Sequence, residues 1–438
     1  MRFKERVRHF TWTWFTMTMA TGGIANVLYT VPYRFHGLYA IGCIFFILNI
    51  VLFIFNVVMI SVRFYLYPTT FKGSFIHPTE SLFIPASVIS FGTILINITQ
   101  YGVGEKTGPW LETTMIVLFW LDLALAVMFS CGIYLIMWST QTFTVSQMTP
   151  VWIFPAYPLL IVGPHAANLS LKIAPGSALR LIIGGFITQG IGFMVSFMIY
   201  SSFLYRLMTQ KLPKESLRPA MFVSVGPSGF TIAGIIGMGQ RLPSVVPAGF
   251  MGDGAFAGKV SMICANWIGI WLWGLALWFF VISVGAHYTA ATRGRMDFAM
   301  TWYSFIFPNT ALTTGTFAVA KALAITKPGA SSIPTPDPSN DYRSTGSMPN
   351  NAIDIFGCVL TVALVITWFF VFAAMIRAVW LKQILWPQKQ EDRDEGGWDE
   401  KKRRESMLQE KESREGIKRL KSKGHFWRGK NGVNEAMV

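Results

Sequence analysis

Apolar residues gather into ten stretches, at about residues 11–31, 38–64, 80–101, 110–138, 150–170, 178–207, 219–240, 258–288, 299–322 and 353–384. Each is long enough to cross a bilayer, because about 20 apolar residues rising 1.5 Å apiece cover the hydrocarbon core. Proline and glycine divide the stretches into two classes. The odd-numbered ones carry Gly22-Gly23, then Pro85, then Pro155 with Pro158 and Pro164, then Gly226-Pro227, then Pro308; the even-numbered ones carry no proline. Proline lacks an N–H and clashes with the carbonyl one turn back, so four odd helices are expected to kink, and the glycine pair gives the first a similar freedom. Freed backbone groups cannot be left facing lipid, which places the odd helices inside, covered by protein or water. The break marks at 22, 85, 155, 227 and 308 recur at the period of one helical hairpin with its loops. The pattern predicts an all-α membrane protein of ten transmembrane helices, arranged as five hairpins that each pair a broken inner helix with a regular outer one.

Composition agrees with the pattern. Of 438 residues, 52% are hydrophobic and only 13% charged, which excludes an ordinary soluble globule. The first apolar stretch follows Arg2, Lys4, Arg6 and Arg8 directly and has no small-residue cleavage site, so it is read as a retained helix and not a signal peptide. An even number of spans puts both termini on one side. Lys and Arg number 28 on the side of the termini and nine on the other, so both termini are expected in the cytoplasm. The net charge is +15, and only +3 of it falls within residues 388–438. A basic membrane body concentrates anions at its mouths, although positive-inside signals account for part of the excess.

Two regions depart from the bundle. Residues 325–351 are rich in Pro, Ser and Asn and are expected to form an extended or disordered external loop. The chain therefore divides into a transmembrane domain, 1–387, and a charged cytoplasmic tail, 388–438, first acidic and then basic, expected to be disordered and able to meet anionic lipid. Asn97 and Asn168 match the glycosylation pattern but stand at the ends of apolar stretches, too near the membrane for modification. Cys43, Cys131, Cys264 and Cys358 fall singly in even stretches and read as buried small hydrophobes. No metal site, cofactor or nucleic-acid partner is expected.

Within the stretches ionisable groups are sparse, so the paired carboxylates or nucleophile with base that an enzyme needs are missing, and translocation is the expected activity. The odd stretches supply neutral donors instead: Thr16, Thr18, Thr21 and Asn26, then Ser87, Ser90 and Thr93, then Asn168, then Ser224, Ser228 and Thr231, then Asn309, Thr310, Thr313 and Thr314. Neutral donors suit an anion that must be held weakly enough to leave, and half-helix N-termini add exposed N–H groups. The same residues also serve as packing glue between membrane helices. Asp122, in the middle of the fourth stretch, is either a proton-coupling group or the partner of a structural hydrogen bond. His165 is either a protonation switch or a satisfied packing residue.

His9-Phe10-Thr11-Trp12, Met19-Ala20-Thr21-Gly22-Gly23, Trp152-Ile153-Phe154-Pro155, Arg218-Pro219-Ala220-Met221-Phe222 and Phe305-Ile306-Phe307-Pro308-Asn309 together resemble the tellurite-resistance/dicarboxylate transporter family, over residues 8–387. That family includes malic acid transport proteins of yeasts, plant slow anion channels and sulfite efflux pumps. The first and fourth motifs are most similar to the malate branch, whereas Phe119-Trp120-Leu121-Asp122 and Asn26-Val27-Leu28-Tyr29 are similar to the sulfite branch. The resemblance implies five hairpins around a pseudo-fivefold central pore lined by the odd helices, commonly in a trimer at the plasma membrane. It implies transport of a small anion, a malate-type C4-dicarboxylate ahead of sulfite. It also implies that the aromatic before the ninth-helix proline, Phe307, plugs the pore, with Phe305 the alternative register. Pore-lining or helix-break candidates are Thr21, Gly22, Gly23, Pro85, Ser87, Pro155, Asn168, Gly226, Pro227, Ser228, Pro308 and Asn309. The reading from a different class is a membrane sensor or scaffold whose basic tail recruits partners.

Overall fold

A computed structural model describes residues 3–104, 107–293, 298–326, 347–348 and 351–385. Among the described residues ten helices have 14 residues or more: α1 (Phe15–Thr30), α2 (Leu38–Leu66), α3 (Ala86–Tyr101), α4 (Pro109–Thr140), α5 (Tyr157–Ser170), α6 (Pro175–Gln210), α7 (Gly226–Val245), α8 (Gly254–Arg293), α9 (Phe307–Ala322) and α10 (Asn351–Trp380). Seven segments are long and apolar enough to cross a membrane. They are α2, α4, α6, Gly254–Tyr288 of α8, Ala352–Trp380 of α10, and the segments Glu80–Tyr101 and Glu215–Val245 that contain α3 and α7. The remaining helices, α1, α5 and α9, each continue a short 3-10 segment: Trp12–Trp14, Pro150–Ala156 and Met300–Phe305.

Burial separates two sets. The most apolar window is 83% and 89% buried in Glu80–Tyr101 and Glu215–Val245, against 22 to 33% in the other five spans. Helices α1, α5 and α9 are also buried along nearly their whole length. On α2 the buried positions Leu38, Gly42, Phe45, Asn49, Asn56, Ile60 and Arg63 fall three, four or seven residues apart, one helical stripe. Its opposite face exposes Ile44, Ile47, Val51, Ile54, Phe55 and Val58. A soluble helix would bury the isoleucines. Here the asparagines and arginine face protein and the aliphatic side chains face outward, as lipid requires.

The buried helices touch one another in a closed sequence: α1 packs on α3, α3 on α5, α5 on α7, α7 on α9, and α9 on α1. Contacts along them rise in step, so neighbours run parallel. Ser90 meets Thr18, Asn97 donates to the Gly22 carbonyl, and Gln100 donates to Asn26, in order along α3 and α1. Gly229 and Ile232 of α7 likewise meet Ala311 and Gly315 of α9.

The prolines act differently from the kinks expected of them. Pro85 caps α3, and Pro158, Pro227 and Pro308 stand in the first turns of α5, α7 and α9, each just after a short helical or 3-10 segment. First-turn N–H groups have no partner inside the helix, so proline costs nothing there and sets the φ that starts the turn. Pro155 lies inside the 3-10 segment before α5, Pro164 lies midway along α5, and Pro243 lies in the last turn of α7. Gly22-Gly23 is no break, because α1 runs through it without interruption. A Cβ on Gly22 would lie 2.7 Å from Thr93 Oγ1 and one on Gly23 would lie 2.7 Å from Thr310 Oγ1, so the pair lets α3 and α9 approach α1 closely. The cysteines also differ from expectation. Cys131 and Cys264 are exposed and Cys43 and Cys358 half-buried, on helices whose outer faces are largely apolar, where a small hydrophobe is equally at home. Of the loop 325–351, Ile325–Thr326 pairs antiparallel with Ser347–Met348 and Asn351 begins α10; residues 327–346 and 349–350, and the tail 388–438, lie outside the described residues.

Candidate functional site

The five inner helices enclose a narrow cavity. Its lining takes Gly23 and Asn26 from α1, Thr93 and Ile96 from α3, Ile161 and Pro164 from α5, Phe230 from α7, and Phe307, Thr310 and Thr314 from α9. None of these side chains is charged, and none comes from an outer helix. The space is just enough to admit a water molecule. Phe307 and Thr314 stand two turns apart on α9, so the lining extends about 10 Å along the axis.

Aromatic rings crowd the end where the inner helices begin. Phe307 lies 5.0 Å from Phe230 between centroids and 6.2 Å from Tyr157, which stacks on Phe154 at 5.2 Å. The Tyr157 hydroxyl donates to the Val223 carbonyl at the end of the 3-10 segment before α7. A Cβ on Gly226 would come within 2.8 Å of the Tyr157 ring carbon Cζ, so only glycine leaves room for that ring. Phe305 points elsewhere, packing at 5.5 Å on Phe222 and 5.2 Å on His287. Between the two registers left open by the sequence, Phe307 is the one that reaches the cavity.

Other candidates scatter around this core. Thr21 accepts a hydrogen bond from Trp368 of α10 at 3.1 Å and faces away from the cavity. Ser87 bonds to the Ile84 carbonyl at 2.8 Å, closing the turn around Pro85. Ser228 and Pro227 are buried at the start of α7, and Asn309, beside Pro308, donates to the Phe305 carbonyl at 2.9 Å, bridging the 3-10 segment to α9. Asn168 donates to the Pro164 carbonyl at 2.8 Å and accepts from Gln100 at 3.0 Å.

Asp122 and His165, singled out separately in the sequence, form one pair. His165 Nδ1 stands 3.2 Å from Asp122 Oδ2, joining α4 to α5 with both groups buried. The carboxylate rests against Gly92 of α3, and Phe119 presents its edge to the imidazole at 5.2 Å. His165 Nε2 has no hydrogen-bond partner among the described residues. His165 directly follows Pro164 on α5, and Asp122 touches Gly92, which directly precedes Thr93 on α3; Pro164 and Thr93 line the cavity.

A second buried pair escaped sequence reasoning. Arg63 of α2 binds Glu80, just ahead of α3, with both side chains fully buried. Arg63 also donates to the Phe10 carbonyl at 3.1 Å, and Ser74 donates to Glu80 at 3.0 Å. His77 Nδ1 accepts the N–H groups of Thr79 and Glu80, each at 3.2 Å, and burial pushes its imidazole below the usual histidine range, which keeps that nitrogen free to accept. Phe230, Tyr157 and Gln100 were missed as well. Gln100 left one signal, a carboxamide in the apolar run Ile96-Asn97-Ile98-Thr99-Gln100.

Residues 9–376 match the voltage-dependent anion channel family. The chain belongs to that family. It is 30% identical over 392 residues to the malic acid transport protein of Schizosaccharomyces pombe, covering 89% of this chain and 82% of the relative. It is 27% identical over 397 residues to a putative malic acid transport protein of the same organism, covering 90% and 85%. With the sulfite efflux pump SSU1 of Arthroderma benhamiae it shares 28% identity over 318 residues, covering 70% and 81%. Membership bears out the resemblance read from the motifs around Trp12, Pro155, Pro219 and Pro308.

Proposed function

We propose that this protein carries small organic anions across a membrane, malate-type C4-dicarboxylates first, along the axis of the cavity between α1, α3, α5, α7 and α9. The observation that carries the reading is the lining itself: no charged side chain, the Asn26 carboxamide on α1, and the hydroxyls of Thr93, Thr310 and Thr314, which donate to carbonyls of their own helices and need only rotate to meet an anion, so that one can be solvated without being trapped. Coverage of 89% of this chain by a malic acid transport protein supports the substrate class.

In this reading the ten helices form five hairpins about a pseudo-fivefold axis, which the closed, parallel sequence of inner contacts supports. Phe307 is the plug, with Phe230 and Tyr157 as the wall against which it closes. Asp122 couples transport to protons through His165. Both termini are cytoplasmic, the membrane is the plasma membrane, and the assembly is a homo-oligomer, a trimer in line with the family resemblance. Sulfite is the second reading, favoured by Phe119-Trp120-Leu121-Asp122 and by the efflux-pump relative.

The test is paired flux in cells lacking their own carriers. Labelled malate should enter saturably when the protein is expressed, with little change in sulfite export. Sulfite export without malate uptake would exchange the two substrates, and absence of both fluxes with the protein at the membrane would remove the transport reading.

A further inference from the structure

At the end of the cavity away from Phe307, three carboxamides meet: Asn26 of α1, Gln100 of α3 and Asn168 of α5. Their orientations follow from one fixed point. The Pro164 carbonyl can only accept, so Asn168 must turn its NH2 toward it, as the 2.8 Å contact records. Asn168 then offers Oδ1 to Gln100, which must donate, and Nε2 of Gln100 reaches Asn168 Oδ1 at 3.0 Å and Asn26 Oδ1 at 2.7 Å. Both hydrogens of that NH2 are used. Asn26 therefore accepts through Oδ1 and holds its own NH2 away from Gln100.

Asn26 lines the cavity and is only partly buried. Its Nδ2 makes no hydrogen bond among the described residues. Reversing any amide in the series would set two oxygens or two NH2 groups face to face, so the polarity is locked from the proline carbonyl outward. Gln100 is 4% exposed and its Oε1 has no hydrogen-bond partner among the described residues, so among them only Asn168 and Asn26 set how its amide turns.

We infer that Asn26 is the donor that receives the substrate anion in the cavity, and that Gln100, set by Asn168 and the Pro164 carbonyl, is a positioning residue that keeps the Asn26 NH2 turned toward it. The inference rests on the anion-transport reading and deepens it by assigning the recognition group. A carboxylate or sulfite oxygen accepting from Asn26 Nδ2 forms a charge-assisted hydrogen bond, and the carboxamide adds no fixed charge that would hold the ion. Asn26→Ala deletes the donor. Asn26→Asp keeps the shape and replaces the donor with a repelling charge. Gln100→Met keeps the length and removes only the bond that orients Asn26.

The test uses the purified full chain, with malate, sulfite and chloride each titrated as a stabiliser of thermal unfolding, because an anion that binds the folded state raises its midpoint. Labelled malate uptake supplies KM and kcat alongside. Asn26→Ala should weaken the half-saturating concentration of the stabilising anion about tenfold, the scale of one lost charge-assisted bond. KM should rise by the same factor with kcat nearly unchanged. Asn26→Asp should abolish the stabilisation. Gln100→Met should weaken binding in the wild-type background and change nothing further in Asn26→Ala, since both act through one donor.

Unchanged half-saturation in Asn26→Ala overturns the inference, as does failure of all three anions to stabilise the wild type. An equal effect of Gln100→Met in both backgrounds overturns the positioning role. Should chloride or sulfite stabilise the wild type and lose that effect in Asn26→Ala while malate is inert, the recognition group stands and the malate assignment falls.

Discussion

At the residue scale, the three phenylalanines around the start of α9 have separate tasks set by what each ring touches. Phe307 and Phe230 line the cavity and lie 5.0 Å apart, so if the pair is the proposed plug, removing either should open the passage. Phe305 packs on Phe222 and His287 outside it. Electrical recording of Phe307→Ala should show a larger anion current than wild type at equal surface expression, and Phe230→Ala should do the same. Phe305→Ala should lose stability without gaining current, since truncating a packed aromatic costs up to about 3–5 kcal/mol. Current raised only in Phe305→Ala would move the gate by two residues. The Asp122 carboxylate and His165 imidazole provide a different contrast, because a pair that merely ties α4 to α5 needs a hydrogen bond but no titration. Asp122→Asn retains shape and bonding while removing the charge. Flux through Asp122→Asn and through His165→Gln should lose its pH dependence with expression intact, and a profile parallel to wild type in both would leave the pair as an interhelical tie.

At the element scale, the alternation of proline-bearing and proline-free stretches was legible because it records a physical division. Helices wrapped in protein tolerate broken backbone, and helices facing lipid do not. The nature of the breaks was less legible, since proline suits a first turn as well as it disrupts an interior one, and only the neighbouring 3-10 segments distinguish the two. Gly22-Gly23 misled for a related reason: glycine permits a kink and also permits close helix approach, and here Thr93 and Thr310 occupy the space a side chain would need. The partnerships of the site were the least legible part. Asn26 and Gln100 are 74 residues apart and Asp122 and His165 are 43 apart, and contacts at such separations leave no local periodicity. The Arg63 and Glu80 pair, 17 residues apart across the α2–α3 connection, was hidden in the same way. Glu80→Gln leaves the Arg63 charge buried without its counter-ion and should destabilise the protein by about 3–5 kcal/mol, read as a lower unfolding midpoint in detergent. Arg63→Met combined with Glu80→Leu should recover much of that loss, because neither charge then remains to be desolvated.

At the scale of the whole molecule, everything the proposed transport uses lies between Thr13 and Trp380. The cavity lining ends at Thr314, the aromatic wall at Phe307, and the Asp122–His165 and Arg63–Glu80 pairs earlier still. The last helix, α10, closes on α1 and α9 through Trp368, which donates to Thr21 and T-stacks on Phe45 at 4.9 Å, so the described helices close on one another by Trp380. The charged tail therefore separates two classes of function. In a scaffold the tail is the active part, since its run of Lys and Arg supplies the contacts that recruit a partner or an anionic membrane surface. In a transporter it is peripheral to flux. A chain ending at Pro387 should reach the membrane and transport labelled malate with the wild-type KM, with any reduction in rate tracking the amount of protein at the surface. Loss of transport per molecule in that truncated chain, with the fold intact by thermal unfolding, would show that the tail takes part in conduction itself and would return the sensor or scaffold reading to the front.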